Sequence, residues 1–443
     1  VIGDLLRDVM VRSHVVRLNP EAPSVLMDAL ESTVTPGGAG NCAQYFASQR
    51  LHISFATACG PTDADITSEL ARFGVRVVPL ANNIDVPSKT RYVVDGRVTA
   101  RVDTTPKVAE IAWRHDGFAW LTMAIQQATT VTVSDYGLNC TLASPAVQSL
   151  VSSASADVPV VWDFHPRASY LPPQGVWVKF NLADFQTFAT RVEATSSAAA
   201  KLEAVVGSVG RKHGWCGIVV TRGADGVVVW THESTEVVPV DPIAIDVAIG
   251  AGDCFAACFA QELTSARGVD AAREAAATTT GYLALRDGRC AVPVGINASQ
   301  LIKATRYARK TMVVASGCFD LLHAGHLDLL QAARDLGDVL VVLINSDASI
   351  NRLKGSGRPA IPLEERSRVL RALRCVDAVV SFDEDTPCKA LEVLRPDVYV
   401  KGSDYELDRL PERTALLRMG TRMVSVPRIR NTSTTAIIDG ISR

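Results

Sequence analysis

Short apolar runs rich in valine recur along the chain, each alternating with a stretch where alanine and leucine return at helical spacing. VTVSDYG at 131–137, VPVVWDF at 158–164, GIVVTRG at 217–223 and DVLVVLINS at 338–346 are runs of the first kind. A strand that is apolar on both faces must be covered on both, and alternation with helices supplies that cover. The pattern therefore predicts an α/β protein built on mostly parallel sheets. VIGDLLRD at the start reads as the end of a strand, so residues upstream of it are expected.

The alternation breaks once. An alanine-rich helical pattern from Asp270 to Leu285 gives way to an irregular stretch, and a fresh strand, MVVASG, then opens a new βαβ pattern. This predicts a first domain over 1–295, a linker over 296–311 and a second domain over 312–443, both domains of ordinary size. In the second, the strand runs into Gly317 and a loop. A helix follows with Leu329, Ala332, Ala333 and Leu336 on one face, Gly337 stops it, and Val339–Asn345 closes the unit. No short internal repeat interrupts either part.

Composition narrows the function classes. The 443 residues carry a formal charge of −2 and no long basic run, so nucleic acid is not expected as a partner. No stretch reaches the roughly 18 apolar residues of a membrane span, and no signal-peptide pattern opens the chain, so no membrane association is expected. The 10 cysteines are scattered without a C-x-x-C pair, which weighs against structural zinc and a disulfide framework. A reducing cytoplasm is the expected compartment. Arginine outnumbers lysine 35 to 10, so a lysine inside a motif stands out.

Two of the 8 histidines sit together in SGCFDLLHAGHLDLL, residues 316–330. His323 and His326 fall at a helix start, at the carboxyl end of a strand, where open α/β sheets bind ligands. Unsatisfied N–H groups there favour an anion, Gly325 permits close approach, and two imidazoles add donors for developing phosphoryl charge. A metal pair and a pair of incidental cap residues are the alternatives; no third ligand stands at helical spacing for the first. Downstream, Lys354 and Lys401 are each followed by glycine, and Arg358 and Arg366 offer phosphate forks. Ser433, Thr434 and Thr435 precede an apolar run, either as a helix cap or as phosphate ligands.

In the first domain DVAIGAGDCFAACFAQEL, residues 246–263, carries the strongest signal. Gly250, Ala251 and Gly252 end a loop and Asp253 opens an apolar helix. Glycine amides at a helix start can absorb charge while a carboxylate takes a hydroxyl proton, or the aspartate is simply a favourable helix-end charge. GGAGN at 37–41 is a tight turn suited to sugar hydroxyls. TRGADG at 221–226 reads as a strand-to-turn stretch or a hairpin turn. NLAD places Asn181 and Asp184 three apart, as ligands of magnesium-bound water or as a loop cap. No P-loop and no protein-kinase signature is present.

GCFDLLHAGH, RLKGSGRPAIPLEER, VKGSDY and STTAII together resemble the HxGH nucleotidyltransferases, and more narrowly the adenylyltransferase half of the bifunctional heptose kinase/adenylyltransferases. GAGD, GGAGN and TRGADG resemble the ribokinase-like (PfkB) sugar kinases. GDLLRD, RLNPEAP, KTRY, RVD and SDYG point to the heptose kinases among them. The resemblance implies a ribokinase-like αβα sandwich followed by a smaller Rossmann-like domain, with ATP and Mg2+ used in both halves, a monovalent cation as a further candidate, small-molecule substrates and a homodimer.

By the same resemblance Asp253 is the general base and Gly250, Ala251 and Gly252 form the anion hole. Asp4, Asp8, Gly37, Gly38, Asn41 and Asp103 hold the sugar, and Arg17, Lys89, Arg91 and Arg101 hold its distal phosphate. Asn181, Thr221, Gly223 and Gly226 bind the kinase nucleotide, with Asn181 and Asp184 near magnesium. In the other half His323, His326, Lys354 and Lys401 are catalytic. Gly317, Phe319, Asp320, Gly325, Arg358, Ser433, Thr434 and Thr435 meet the nucleotide. The chain departs from the kinase pattern at Val247, where an acidic residue is usual and Asp246 lies one step away. It departs again at Asp184, a methylene shorter than the usual glutamate.

Overall fold

The computed structural model describes residues 1–18, 25–94, 97–105, 110–192, 201–243, 248, 250–287, 297–403 and 406–427. The chain divides into two compact units, Val1–Leu283 and Ala284–Arg443. Among the described residues no helix is long and apolar enough to cross a membrane.

The first unit is built on a nine-stranded sheet. Its order runs Thr235–Val238, Val227–Thr231, Gly217–Thr221, Trp177–Asn181, Val160–Asp163, Val131–Ser134, Ile2–Gly3, Ile53–Ala58, Val75–Ala81. The seven strands from Gly217–Thr221 onward are parallel, as the unbroken apolar runs predict. The first two join antiparallel at the edge, so TRGADG is indeed the turn of a hairpin. Phe164, Phe180, Phe185, Phe188 and Trp215 are fully or almost fully buried around the strand centres. Burial of one such side chain contributes about 1.5–3 kcal/mol.

A second sheet of four strands stands apart from the first, ordered Val25–Gly38, Leu5–Leu18, Ser88–Val94, Arg97–Thr104. Period-two alternation gives its faces opposite characters. Asp8, Lys89 and Asp103 face one another across three strands, and Arg91 and Arg101 lie two residues along on the same face. The neighbouring row, Val34, Val9, Thr90 and Val102, belongs to the other face, where Val34 and Val102 are exposed.

The second unit holds five parallel strands in the order Ala378–Phe382, Val339–Asn345, Met312–Gly317, Val398–Gly402, Arg422–Val426. The order reverses beside Met312–Gly317, which makes the crevice between it and Val398–Gly402 the natural ligand position. The stretch read as a linker is not merely connecting chain. Ala298–Tyr307 is a helix closed by a reciprocal Asn297–Gln300 capping box, and Arg306 donates to the Leu394 carbonyl at 3.3 Å. The Asn-x-x-Gln spacing carried this signal.

Candidate active sites

In the first unit two helix starts meet. Ala39–Ser48 begins after the Gly37–Gly38 turn and carries Asn41 in its first turn; Ala251–Glu262 begins after Gly250 and carries Asp253. Gly250 has φ 76°, a left-handed turn that glycine adopts without strain. Asn41 Nδ2 donates to Asp253 Oδ2 at 2.9 Å and the Tyr136 hydroxyl donates to Oδ1. The Cys42 thiol reaches the Asp253 carbonyl at 3.4 Å. Asp253 is buried, and burial pushes its carboxyl above the ordinary range, partly offset by the Tyr136 and Asn41 hydrogen bonds and by the charge of Lys179. A carboxylate so held is suited to accept a proton.

Tyr136 follows Val131–Ser134, so Asp253 lies against carboxyl ends of the sheet. Asp163 ends the neighbouring strand and accepts twice from Lys179 Nζ, at 2.9 and 2.8 Å. A Cβ added to Gly252 would lie 3.0 Å from that ammonium, so Lys179 stands beside the Gly250–Gly252 turn. The sequence reading assigned no role to Tyr136, Asp163 or Lys179. Lys179 had a signal, being one of only 10 lysines and two residues before Asn181.

The charged face of the four-stranded sheet supplies the rest. Lys89 Nζ stands 4.3 Å from the centre of the Tyr136 ring and feels the charges of Asp8, Arg101, Asp253 and Asp103; burial lowers its pKa first of all. Arg91 pairs with Asp8 at 2.9 Å and Arg101 with Asp103. Gly37 is there because a side chain would strike Asp8, at 2.3 Å from Oδ2. Of the expected sugar and phosphate residues, Asp8, Asn41, Lys89, Arg91, Arg101 and Asp103 are thus gathered near Asp253.

Others are not. Asp4 is 1% exposed, and its Oδ1 accepts from the Thr141 amide at 2.8 Å, which anchors that loop. Burial pushes its pKa up to about 6. The Arg17 side chain, Asp246 and Val247 lie outside the described residues. Asn181 and Asp184 bond each other, with the Asp184 amide donating to Asn181 Oδ1 at 2.8 Å, so they cap Leu182–Val192. One Asp184 oxygen also lies 3.9 Å from His165 Nε2. Thr221 ends its strand with its hydroxyl on the Phe180 carbonyl, and Gly223 and Gly226 take positive φ in the turn that follows.

In the second unit His323 is the N-cap of Ala324–Arg334, whose first turn contains Gly325 and His326. The two imidazoles stack with centres 3.9 Å apart, and the Phe319 ring lies 5.1 Å from His326. Lys401 Nζ donates to the Ser316 carbonyl at 3.3 Å across the crevice where the strand order reverses. Lys354 is exposed on the last turn of Asp347–Lys354, before Gly355 and Gly357, both left-handed.

Three expected nucleotide contacts are largely internal. Phe319 is 4% exposed and packs in the core, its ring under Gly317. Asp320, 1% exposed, accepts from the Ala360 amide at 2.7 Å and pairs with Arg358 at 2.8 Å, tying the 358–361 turn to the histidine loop. Arg366 is no phosphate fork: it donates to the carbonyls of Ile361, Cys318 and Asn345 and pairs with Asp347. Ser433, Thr434 and Thr435 lie outside the described residues.

Comparison with known proteins places both halves. The pfkB family of carbohydrate kinases matches residues 1–292, and the cytidylyltransferase-like family matches 314–440. The bifunctional protein HldE of Streptomyces coelicolor is 35% identical over 99% of this chain and 95% of its own. That of Geobacter sulfurreducens is 31% identical over 100% and 95%. The chain belongs to the bifunctional HldE family. It is an enzyme with a carbohydrate-kinase half and a nucleotidyltransferase half. In fold, phosphofructokinase-2 from Escherichia coli in complex with fructose-6-phosphate aligns with a TM-score of 0.51 at 17% identity, covering 70% of this chain and 97% of that one.

Proposed function

We propose that the first unit phosphorylates the anomeric hydroxyl of a heptose 7-phosphate with ATP, and that the second transfers AMP from ATP to the heptose 1-phosphate, giving ADP-heptose and pyrophosphate. One observation supports a phosphorylated sugar over a plain one: Arg91 and Arg101 lie on the sheet face that also carries Lys89, which stands beside Tyr136 and feels the charge of Asp253. A sugar without a phosphate has no use for such a face.

Asp253 accepts the proton of the C1 hydroxyl as that oxygen attacks the γ-phosphorus, and ADP leaves. The amides of Gly250, Ala251 and Gly252 take up the charge of the transferring group, with Asn41 and Tyr136 holding the carboxylate in line. A separate phosphatase removes the 7-phosphate before the second step. There the sugar phosphate oxygen attacks the α-phosphorus of ATP. His323 and His326 stabilise the equatorial charge, Lys354 and Lys401 neutralise phosphates, and the 433–435 hydroxyls hold the leaving pyrophosphate. Asp184 and Asn181 present only hard oxygen and amide groups, a donor set that fits magnesium through its waters; bound there, the ion would neutralise nucleotide charge. The enzyme works in the cytoplasm as a homodimer, the exposed Val34 and Val102 face of the small sheet meeting a second copy.

Phosphorus NMR of the products from heptose 7-phosphate and ATP, with and without added phosphatase, tests the sequence of steps. The bisphosphate forms first and ADP-heptose only after dephosphorylation. CMP transfer from CTP without AMP transfer from ATP would overturn the second half, and a monomer in sedimentation would overturn the dimer.

A further inference from the structure

The second unit buries a carboxylate that the reaction does not call for. Glu412 is 2% exposed, immediately before the helix Arg413–Met419, and lies behind Lys401. Its Oε1 accepts from the Tyr399 hydroxyl at 2.6 Å and stands 3.9 Å from Lys401 Nζ. Tyr399 in turn meets the Ser316 hydroxyl, and Lys401 donates to the Ser316 carbonyl at 3.3 Å. Ser316 is the last residue before Gly317, where the chain leaves the strand for the histidine loop. One network therefore ties the lysine, the end of the strand that carries His323, and a buried acid.

A buried carboxylate costs free energy unless it is paired and hydrogen-bonded, and so does a charged lysine as enclosed as Lys401, 11% exposed. Each answers the other's cost. We propose that Glu412 is a positioning residue for adenylyl transfer: acting through Lys401, with Tyr399 fixing the carboxylate, it keeps the ammonium charged and aimed at the crevice between Met312–Gly317 and Val398–Gly402. This rests on the reading that Lys401 meets the nucleotide's phosphates. Glu412 from the start of its helix, Tyr399 from its own strand and the Ser316 carbonyl from the neighbouring strand all face this lysine.

The test uses the full chain, with its kinase reaction as an internal control. Glu412→Gln keeps an acceptor for Tyr399 and removes the charge. It lowers adenylyl-transfer kcat about tenfold with less change in the KM for ATP, and moves the alkaline limb of kcat/KM down by about one pH unit. Glu412→Asp, which retains the charge, restores the limb to its parent position, and Tyr399→Phe leaves it there. The proposal is overturned if Glu412→Gln keeps the parent limb and a kcat within twofold, or if Glu412→Asp shifts the limb as far as Glu412→Gln does. Should Glu412→Gln fail to fold, the Glu412→Asp and Tyr399→Phe pair decides: a shifted limb in either removes charge maintenance as the role. Lys401→Met separates the two levels. If it leaves adenylyl transfer intact, the reading of Lys401 itself falls, and Glu412 with it.

Discussion

The two sites use charge in opposite order. Around Asp253 a carboxylate stands in front, held by Asn41 and Tyr136 with Lys179 near; around Lys401 a cation stands in front and a carboxylate, Glu412, stands behind. The attacking oxygens explain the difference. A sugar hydroxyl must lose its proton to attack phosphorus, so the kinase half needs a base. A sugar phosphate oxygen is already ionised, so the transferase half needs only donors and cations, and any nearby carboxylate must be turned away from the nucleotide. Two units with helix starts at the carboxyl ends of parallel strands thus differ in the one group their chemistry demands.

The largest effect that would break this contrast comes from Asp253→Asn. Kinase turnover falls by about three orders of magnitude, the middle of the range for a lost general base, while adenylyl transfer on the same chain is unchanged. A variant with parent kinase rates would remove Asp253 as the base. Next, His326→Ala lowers adenylyl transfer about a hundredfold, as for loss of one transition-state donor, and spares the kinase. Loss of both activities would mean that the histidines support the fold instead. Arg91→Ala then raises the KM for the phosphorylated sugar about tenfold with kcat nearly kept, the signature of lost ground-state binding worth about 1.4 kcal/mol.

Tyr136→Phe sharpens the comparison further. Its hydroxyl favours the ionised form of Asp253, whose pKa burial already raises. Without it that pKa rises more, so the acid limb of kinase kcat/KM moves to higher pH; a shift the other way would reverse the role given to Tyr136. The smallest effect is on stability. Burial raises Asp4 to about 6, Asp135 to about 7 and Asp163 to about 6. Each binds its proton more tightly folded than unfolded. Their contribution is therefore complete below the ordinary carboxylate value near ~4 and is lost as pH rises through 6–7. All 6 tryptophans lie in the first unit, so the urea midpoint by tryptophan fluorescence reports that unit alone and is higher at pH 5 than at pH 7.5. Asp135→Asn shrinks the difference.

Much of this was legible because it is local. Apolar runs announce strands buried on both faces, and a glycine beside an apolar helical pattern announces a helix start, as at Gly250–Asp253 and Gly325–His326. What escaped was partnership across the sheet. Tyr136 and Asp253 are 117 residues apart, and Tyr399 and Ser316 are 83 apart. Asp4, Phe319 and Arg366 read as ligands, since a polar or aromatic residue beside a glycine motif looks the same whether it faces a substrate or a backbone amide. Asn297 and Gln300 carry a capping signal in their spacing.

Residue order alone settled the two halves, their α/β character and the chemical types at each helix start, because periodicity and turn chemistry act over a few neighbours. Which carboxylate lies behind a lysine and which takes a loop amide came from packing. Burial and the choice of hydrogen-bond partner set a carboxylate's charge and direction, and both depend on strands that meet only once the sheets have formed.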